Sequence, residues 1–175
     1  GSGGEATRKL IGEIVTQYFR NPMVERLDDS AVLTLNAGQI AFTTDSYVVN
    51  PIFFPGGDIG SLSVNGTIND LSMVGASPLA ITVSLILEEG LALEDLRRIL
   101  ESMRRASLEA GVHVVGGDTK VVEKGSGDGI FVNTAGIGVV PDGVEISCHN
   151  AKPGDVVILS GTIGDHGIAV LSKRE

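Results

Sequence analysis

Apolar and polar positions recur along this chain with two different periods, and the switches between them divide it into elements. Ile11, Ile14, Val15 and Tyr18 return at three- and four-residue steps, which predicts a helix directly after Gly1 to Gly4 and before the break at Asn21-Pro22. Residues 31–35 and 39–44 read as two strands joined at Asn36-Ala37-Gly38, a hairpin signal. Beyond the turn residues Pro55-Gly56-Gly57, Ile59, Leu62, Ile68, Leu71 and Val74 recur with helical spacing over residues 58–75. Asn65 and Asn69 share another face of that helix, with Asp70 beside them. Residues 79–87 are apolar and bounded by Pro78 and Gly90, which predicts a buried strand. The clearest helix follows, its apolar face made by Leu93, Leu96, Ile99, Leu100, Met103, Ala106 and Ala110 and its stop by Gly111. Glu94/Arg98 and Glu101/Arg105 stand at i,i+4 spacing on its solvent side. Residues 112–115 and 129–140 predict two further strands, separated by a Gly-Gly-Asp loop and a flexible stretch over residues 124–129.

Strands alternating with helices predict an α+β domain with a mixed sheet over residues 1–140. Residues 141–155 read as a linker, and residues 156–159 start a new strand before a glycine-rich turn at 161–167. A strand, a turn and part of a helix cannot form a core of their own, so residues 156–175 read as the beginning of a further, truncated domain.

Composition narrows the function classes. With 175 residues, 42% of them hydrophobic, the chain can bury one good core. It holds no apolar run long enough to span a bilayer and no signal-peptide pattern, so no membrane association is expected and the cytoplasm is. The single cysteine, Cys148, rules out an internal disulfide framework. A net charge of −9 and the lack of a basic stripe exclude nucleic acid as a partner. An acidic protein that handles a polyphosphate needs a divalent cation between its carboxylates and the phosphates.

Carboxylates suited to that task stand at the ends of several elements: Asp28 and Asp29, Asp45, Asp70 and Asp118. Each alone reads as a cap or turn residue. As a set they match hard cations, which collect oxygen ligands from distant parts of a chain. The glycine-rich segment from Phe53 to Gly60 opens the polar helix, where backbone N–H groups and the helix dipole bind anions. It matches neither the Walker lysine motif nor the dinucleotide fingerprint. Gly116-Gly117-Asp118-Thr119-Lys120 places a carboxylate, a hydroxyl and an amine within one turn after a strand. His113, inside an apolar strand, reads as a packed core residue, and Cys148-His149 as neighbours whose side chains point apart.

Asp28-Asp29-Ser30-Ala31-Val32, Thr43-Thr44-Asp45-Ser46, the segment from Asn69-Asp70 to Pro78, and Gly116 to Lys120 together resemble the aminoimidazole-ribonucleotide-synthetase-like ATP enzymes. Phe53-Phe54-Pro55-Gly56-Gly57-Asp58-Ile59-Gly60, Gly116-Gly117-Asp118-Thr119-Lys120-Val121-Val122 and Gly161-Thr162-Ile163-Gly164-Asp165-His166-Gly167 are similar to the HypE family of hydrogenase expression/formation proteins in particular. The resemblance runs over the whole chain and includes the glycines at its start.

That resemblance implies an N-terminal domain whose sheet carries helices on one face and pairs with a second subunit into a barrel. It implies ATP and Mg2+ as cofactors, with Asp28, Asp29, Asp45, Gly56, Gly57, Asn69, Asp70, Asp118 and Thr119 binding the nucleotide. Asp28, Asp45, Asp70 and Asp118 are the implied metal ligands, and Lys120 is the implied catalytic group. The implied reaction is ATP-dependent dehydration of a carbamoyl group on a C-terminal cysteine to a thiocyanate, which supplies cyanide during nickel-iron hydrogenase maturation. The carbamoyltransferase HypF and the HypC-HypD scaffold are the implied partners. Cys148 lies far from a chain end and is not matched to the acceptor cysteine, so this chain alone is expected to be inactive in the full reaction. A small-molecule kinase or synthetase of the same superfamily, and a non-catalytic dimerisation and docking module, are the competing readings.

Overall fold

The computed structural model describes Glu5, residues 30–35 and residues 38–174. The helix read over Ile11 to Tyr18, and Asp28 and Asp29, lie outside the described residues. Strand β1 (Ala31–Leu35) and strand β2 (Gly38–Tyr47) form the expected antiparallel hairpin, with Ala31 opposite Phe42. β2 runs past the expected end at Thr44, so Asp45 lies inside a strand.

A short ribbon of β3 (Phe53–Phe54) and β4 (Gly57–Asp58) leads into helix α1 (Ile59–Met73). Asp58 starts that helix: its Oδ1 accepts the Gly60 and Ser61 N–H groups at 2.8 and 3.0 Å, while its own N–H donates to Ser61 Oγ at 3.1 Å. Strand β5 (Ser77–Glu88), helix α2 (Leu93–Glu109), strand β6 (His113–Val122) and strand β7 (Ile130–Val140) follow. Helix α3 (Asp165–Leu171) occupies what read as a glycine-rich turn, and its Val170 reaches the core.

The sheet has the order β1-β2-β7-β5-β6, with β6 parallel to β5 and the other neighbours antiparallel. Ile59 and Val64 of α1 and Ile99 and Met103 of α2 pack with Ile81, Leu85, Ile130 and Val132 of the sheet in one buried cluster. The helices therefore cover one face, and the alternate strand positions look outward. Phe42, Ile86 and Val139 are 44%, 41% and 46% exposed on that uncovered face. Residues 79–87 were expected to form a buried strand; its helix side is buried, and among the described residues no layer covers the apolar residues of the other face.

Four further expectations change. Gly116 to Lys120, read as a loop, is the middle of β6, with Asp118 opposite Ser84 and Lys120 opposite Ile86. The reason sits at Gly117, where a Cβ would overlap the Val83 carbonyl oxygen. Glycine lets the two backbones approach, and strand pairing overrides its preference for turns. His113, expected in the core, is exposed because it begins this edge strand. Residues 156–159 show no strand pairing, and Val156, Val157 and Ile158 are 83%, 87% and 85% exposed. On α2 the ion pairs form at i,i+3: Arg97–Glu94, Arg98–Asp95 and Arg104–Glu101 at 3.7, 3.5 and 2.7 Å. All are solvent-exposed, where such pairs contribute little.

Candidate functional site

Four β2 residues, Ala41, Thr43, Asp45 and Tyr47, share the strand face that α1 covers; Thr43 and Tyr47 are buried and Asp45 is half-buried. On α1, Thr67 and Asp70 are three residues apart and so lie on one face. Two side-chain links close the seam between the elements. Thr43 Oγ1 donates to Asp70 Oδ2 at 3.2 Å, and the Tyr47 and Thr67 hydroxyls lie 3.4 Å apart. Asp45, placed between Thr43 and Tyr47, is flanked by both links, so Asp45 and Asp70 belong to the same seam. Ser30 Oγ donates to the Asp70 carbonyl at 2.9 Å and ties the entry of β1 to the same turn of α1.

The seam has a firm floor. Thr67 and Thr134 are hydrogen-bonded through their hydroxyls, and Thr134 Oγ1 also donates to the Ser63 carbonyl at 3.3 Å. Thr134 on β7 is the cross-strand partner of Asp45. From the other side of the sheet, Asn133 Nδ2 donates to the Asp45 carbonyl oxygen at 3.0 Å and fixes its backbone. Asp45 Oδ1 accepts the Ser46 N–H at 2.9 Å. Burial lifts the Tyr47 phenol well above its ordinary value; the Thr67 hydroxyl opposes the rise and the Asp45 carboxylate adds to it.

Asp118 and Lys120 stand elsewhere. Asp118 aligns with Ser84, and Ser84 with Asn133, so it lies on the uncovered face, whereas Asp45 and Thr134 look toward α1. Two strands separate β2 from β6, which places the two strands about 14 Å apart. Lys120 Nζ contacts Asp118 Oδ1 and Oδ2 at 2.8 and 2.7 Å. The ammonium group, and then the Thr119 N–H, hold the Asp118 carboxyl below its ordinary value. Thr119 is exposed and points to the opposite side from its two neighbours.

Gly56 lies in the β3–β4 turn and Gly57 begins β4; with Phe54, Asn65, Asp165 and His166 they line an open cavity of about 320 Å³. The His166 ring stands edge-on to Phe54 with centroids 5.2 Å apart. The first amides of α1 are already taken by Asp58, so the anion held at this helix start is the chain's own carboxylate. Asn69 is exposed on α1, one turn after Asn65. Among the described residues, no three of His, Cys, Asp and Glu converge as a metal site. Tyr47, Thr67 and Thr134 were not singled out from the sequence, and Thr43 was quoted only within the Thr43-Thr44-Asp45-Ser46 motif, without a site role. The signal for two of them was present, since Thr43, Asp45 and Tyr47 alternate along one strand face.

Residues 27–140 match the family model described as AIR synthase related protein, N-terminal domain. The chain is 55% identical to carbamoyl dehydratase HypE of Cupriavidus necator, covering 100% of this chain and 50% of that protein. It spans about half the length of the curated relatives it matches. Among solved structures it is similar to that of a HypE-HypF complex, with a TM-score of 0.88 and 56% identity over 94% of this chain and 53% of that one. It is also similar to hydrogenase maturation protein HypE in complex with ATP, with a TM-score of 0.76 and 50% identity over 99% of this chain and 52% of that one.

Proposed function

The chain belongs to the AIR synthase related family through its N-terminal domain, and from that premise we propose that it is the ATP-binding half of a HypE-type carbamoyl dehydratase. The observation that carries this reading is the β2–α1 seam, where Asp70 of α1 accepts the Thr43 hydroxyl and Asp45 stands two residues further along the same face of β2. The donor set fits magnesium, a hard cation that takes one or two carboxylates along with substrate phosphates. Asp45 and Asp70 hold the ion together with Asp28, while Asp118, on the opposite face of the sheet and paired with Lys120, stands outside this ligand set; Asp29, Gly56, Gly57, Asn69 and Thr119 serve the nucleotide. When bound, magnesium neutralises phosphate charge and offsets the charge that develops during phosphoryl transfer.

The substrate oxygen of a thiocarbamate leaves poorly as hydroxide. Transfer of the γ-phosphoryl group of ATP to that oxygen gives ADP, and the oxygen then departs as phosphate. The amide nitrogen loses both its protons and a thiocyanate remains. Lys120 meets the charge on the reacting group, and Asp118 holds its ammonium in place.

The uncovered sheet face, with Phe42, Ile86 and Val139 exposed, supports a homodimer that buries this face against a second copy. Asp118 and Lys120 lie on that same face, so dimerisation brings them to a shared boundary. HypF, as the carbamoyl donor, and the HypC-HypD scaffold, as the acceptor of cyanide, are the partners of this reading. Among the described residues no helix is long and apolar enough to cross a membrane, and the cytoplasm is the proposed compartment.

Calorimetric titration of the protein with ATP at several magnesium concentrations tests the reading. Asp45→Asn and Asp70→Asn are expected to weaken magnesium-dependent ATP binding without changing the circular dichroism spectrum. Wild-type binding in both variants would refute the ligand assignment.

A further inference from the structure

Asn133 stands on the uncovered face of the sheet, and its amide is held in one orientation. On β7 it is the cross-strand neighbour of Ser46 on β2 and of Ser84 on β5, and Ser84 is in turn the neighbour of Asp118 on β6. These residues form a polar row across a face where Phe42, Ile86 and Val139 are apolar and exposed. Asn133 Nδ2 lies 3.0 Å from the Asp45 carbonyl oxygen, 3.0 Å from Ser46 Oγ and 3.4 Å from Thr44 Oγ1. A carbonyl oxygen can only accept, so the nitrogen must be the atom that faces it. Oδ1 is thereby a fixed acceptor, and among the described residues no group donates to it. Burying this face against a second copy removes water from that oxygen, so its donor has to come from outside this chain.

Between Asn133 and Asp118 the row holds only the short side chain of Ser84. Lys120 Nζ lies 2.7 Å from the Asp118 carboxylate, so an ammonium group closes the far end of the row. Strands β7 and β6 flank β5 and stand about 10 Å apart. A carboxamide with one hydrogen bond at each end spans about 8 Å. Its N–H donates and its oxygen accepts, which matches an acceptor on one side and a cation on the other.

We propose that Asn133 is a substrate-binding residue, whose Oδ1 accepts an N–H of the carbamoyl group and turns the carbamoyl oxygen toward Lys120 across the space above Ser84. This rests on the reading of the chain as part of a carbamoyl dehydratase with Lys120 at the reacting oxygen. The same contact selects against an N,N-dialkylated carbamoyl group, which has no proton to donate.

The probes are S-carbamoyl-N-acetylcysteine and its N,N-dimethyl counterpart, titrated into the protein with Mg-ATP present and followed by ligand NMR. The wild-type chain is expected to prefer the first by about tenfold, the scale of one hydrogen bond whose loss leaves its partner unsatisfied. Asn133→Ala should abolish that preference by weakening only the carbamoyl probe, whereas a general loss of packing would weaken both. Ser84→Leu fills the space without altering the contacts of Asn133, and should block the carbamoyl probe while the circular dichroism spectrum stays unchanged. The inference is overturned if Asn133→Ala keeps the preference, if Ser84→Leu binds the probe as the wild type does, or if the wild type shows no preference. Lys120→Ala separates the two readings. A weakened carbamoyl probe in that variant upholds the carbamoyl site without Asn133, and unchanged binding removes the site itself.

Discussion

Thr43 and Asp70, 27 positions apart, join β2 to α1 through a hydrogen bond of 3.2 Å from the threonine hydroxyl to the aspartate carboxylate. Neither residue has a local reason to meet the other. The contact exists because α1 lies across β2 and β7, and it turns a strand residue and a helix residue into parts of one site.

Replacing Thr43 by Val keeps the shape of the side chain and removes its donor. Loss of one partly buried hydrogen bond costs about 1 kcal/mol of stability. Urea unfolding should show that loss, and magnesium-dependent ATP binding should weaken a few-fold because Asp70 loses its anchor. Unchanged binding together with unchanged stability would show that the carboxylate is held by other contacts.

Gly66 faces the Tyr47 ring so closely that a methyl group has no space. Gly66→Ala should destabilise the fold by about 1 to 3 kcal/mol through overpacking, outweighing the gain alanine makes in a helix. Tyr47→Phe in the same chain removes the nearest clashing atom, so the double variant should be more stable than the sum of the two single changes allows. Strict additivity in unfolding experiments would mean that α1 shifts as a body instead.

Glu88 accepts the Gly125 N–H at 2.5 Å and the Gly129 N–H at 2.8 Å, and so pins both ends of the glycine-rich segment after β6. These bonds, the one from Gly125 first, lower its carboxyl below the ordinary value of 4.5. A depressed folded-state value means that the tether is fully present above the ordinary carboxylate range and is lost as pH falls through the folded value. Amide proton shifts of Gly125 and Gly129 should therefore titrate together, with a midpoint below 4.5. Glu88→Gln should abolish that titration. A midpoint at or above the ordinary value would contradict the tether.

The uncovered sheet face should carry the subunit contact. Ile86→Lys places a charge there, opposite Lys120, and burying it unpaired is strongly unfavourable. Light scattering should show a dimer for the original chain and a monomer for the variant, with the same circular dichroism spectrum. A monomer in both cases would remove this face as an interface.

Much of the architecture was legible in residue order. Leu93 to Ala110 carries its helical stripe openly, and α2 begins and ends within a residue of that pattern. The β1–β2 hairpin, the start of α1 at Asp58 and the alternation along β7 follow from turn residues, a cap and a two-residue period, all of them local. The competence of Asp45 and Asp70 as cation ligands is likewise a property of their side chains and can be read from type alone.

Only the tertiary structure decided which of these residues meet. A two-residue period says that Thr43, Asp45 and Tyr47 share a face but not that α1 lies on it. Nor does it say that Asp118, equally acidic, falls on the opposite face two strands away. The five residues from Gly116 to Lys120 looked like a turn because glycine favours turns; they form a strand because β5 lies alongside and Gly117 leaves room for its backbone. Local preferences amount to about 1 kcal/mol per residue. Strand order and layer packing are set by summed contacts between segments far apart in the chain, and those contacts outweigh any single residue's preference.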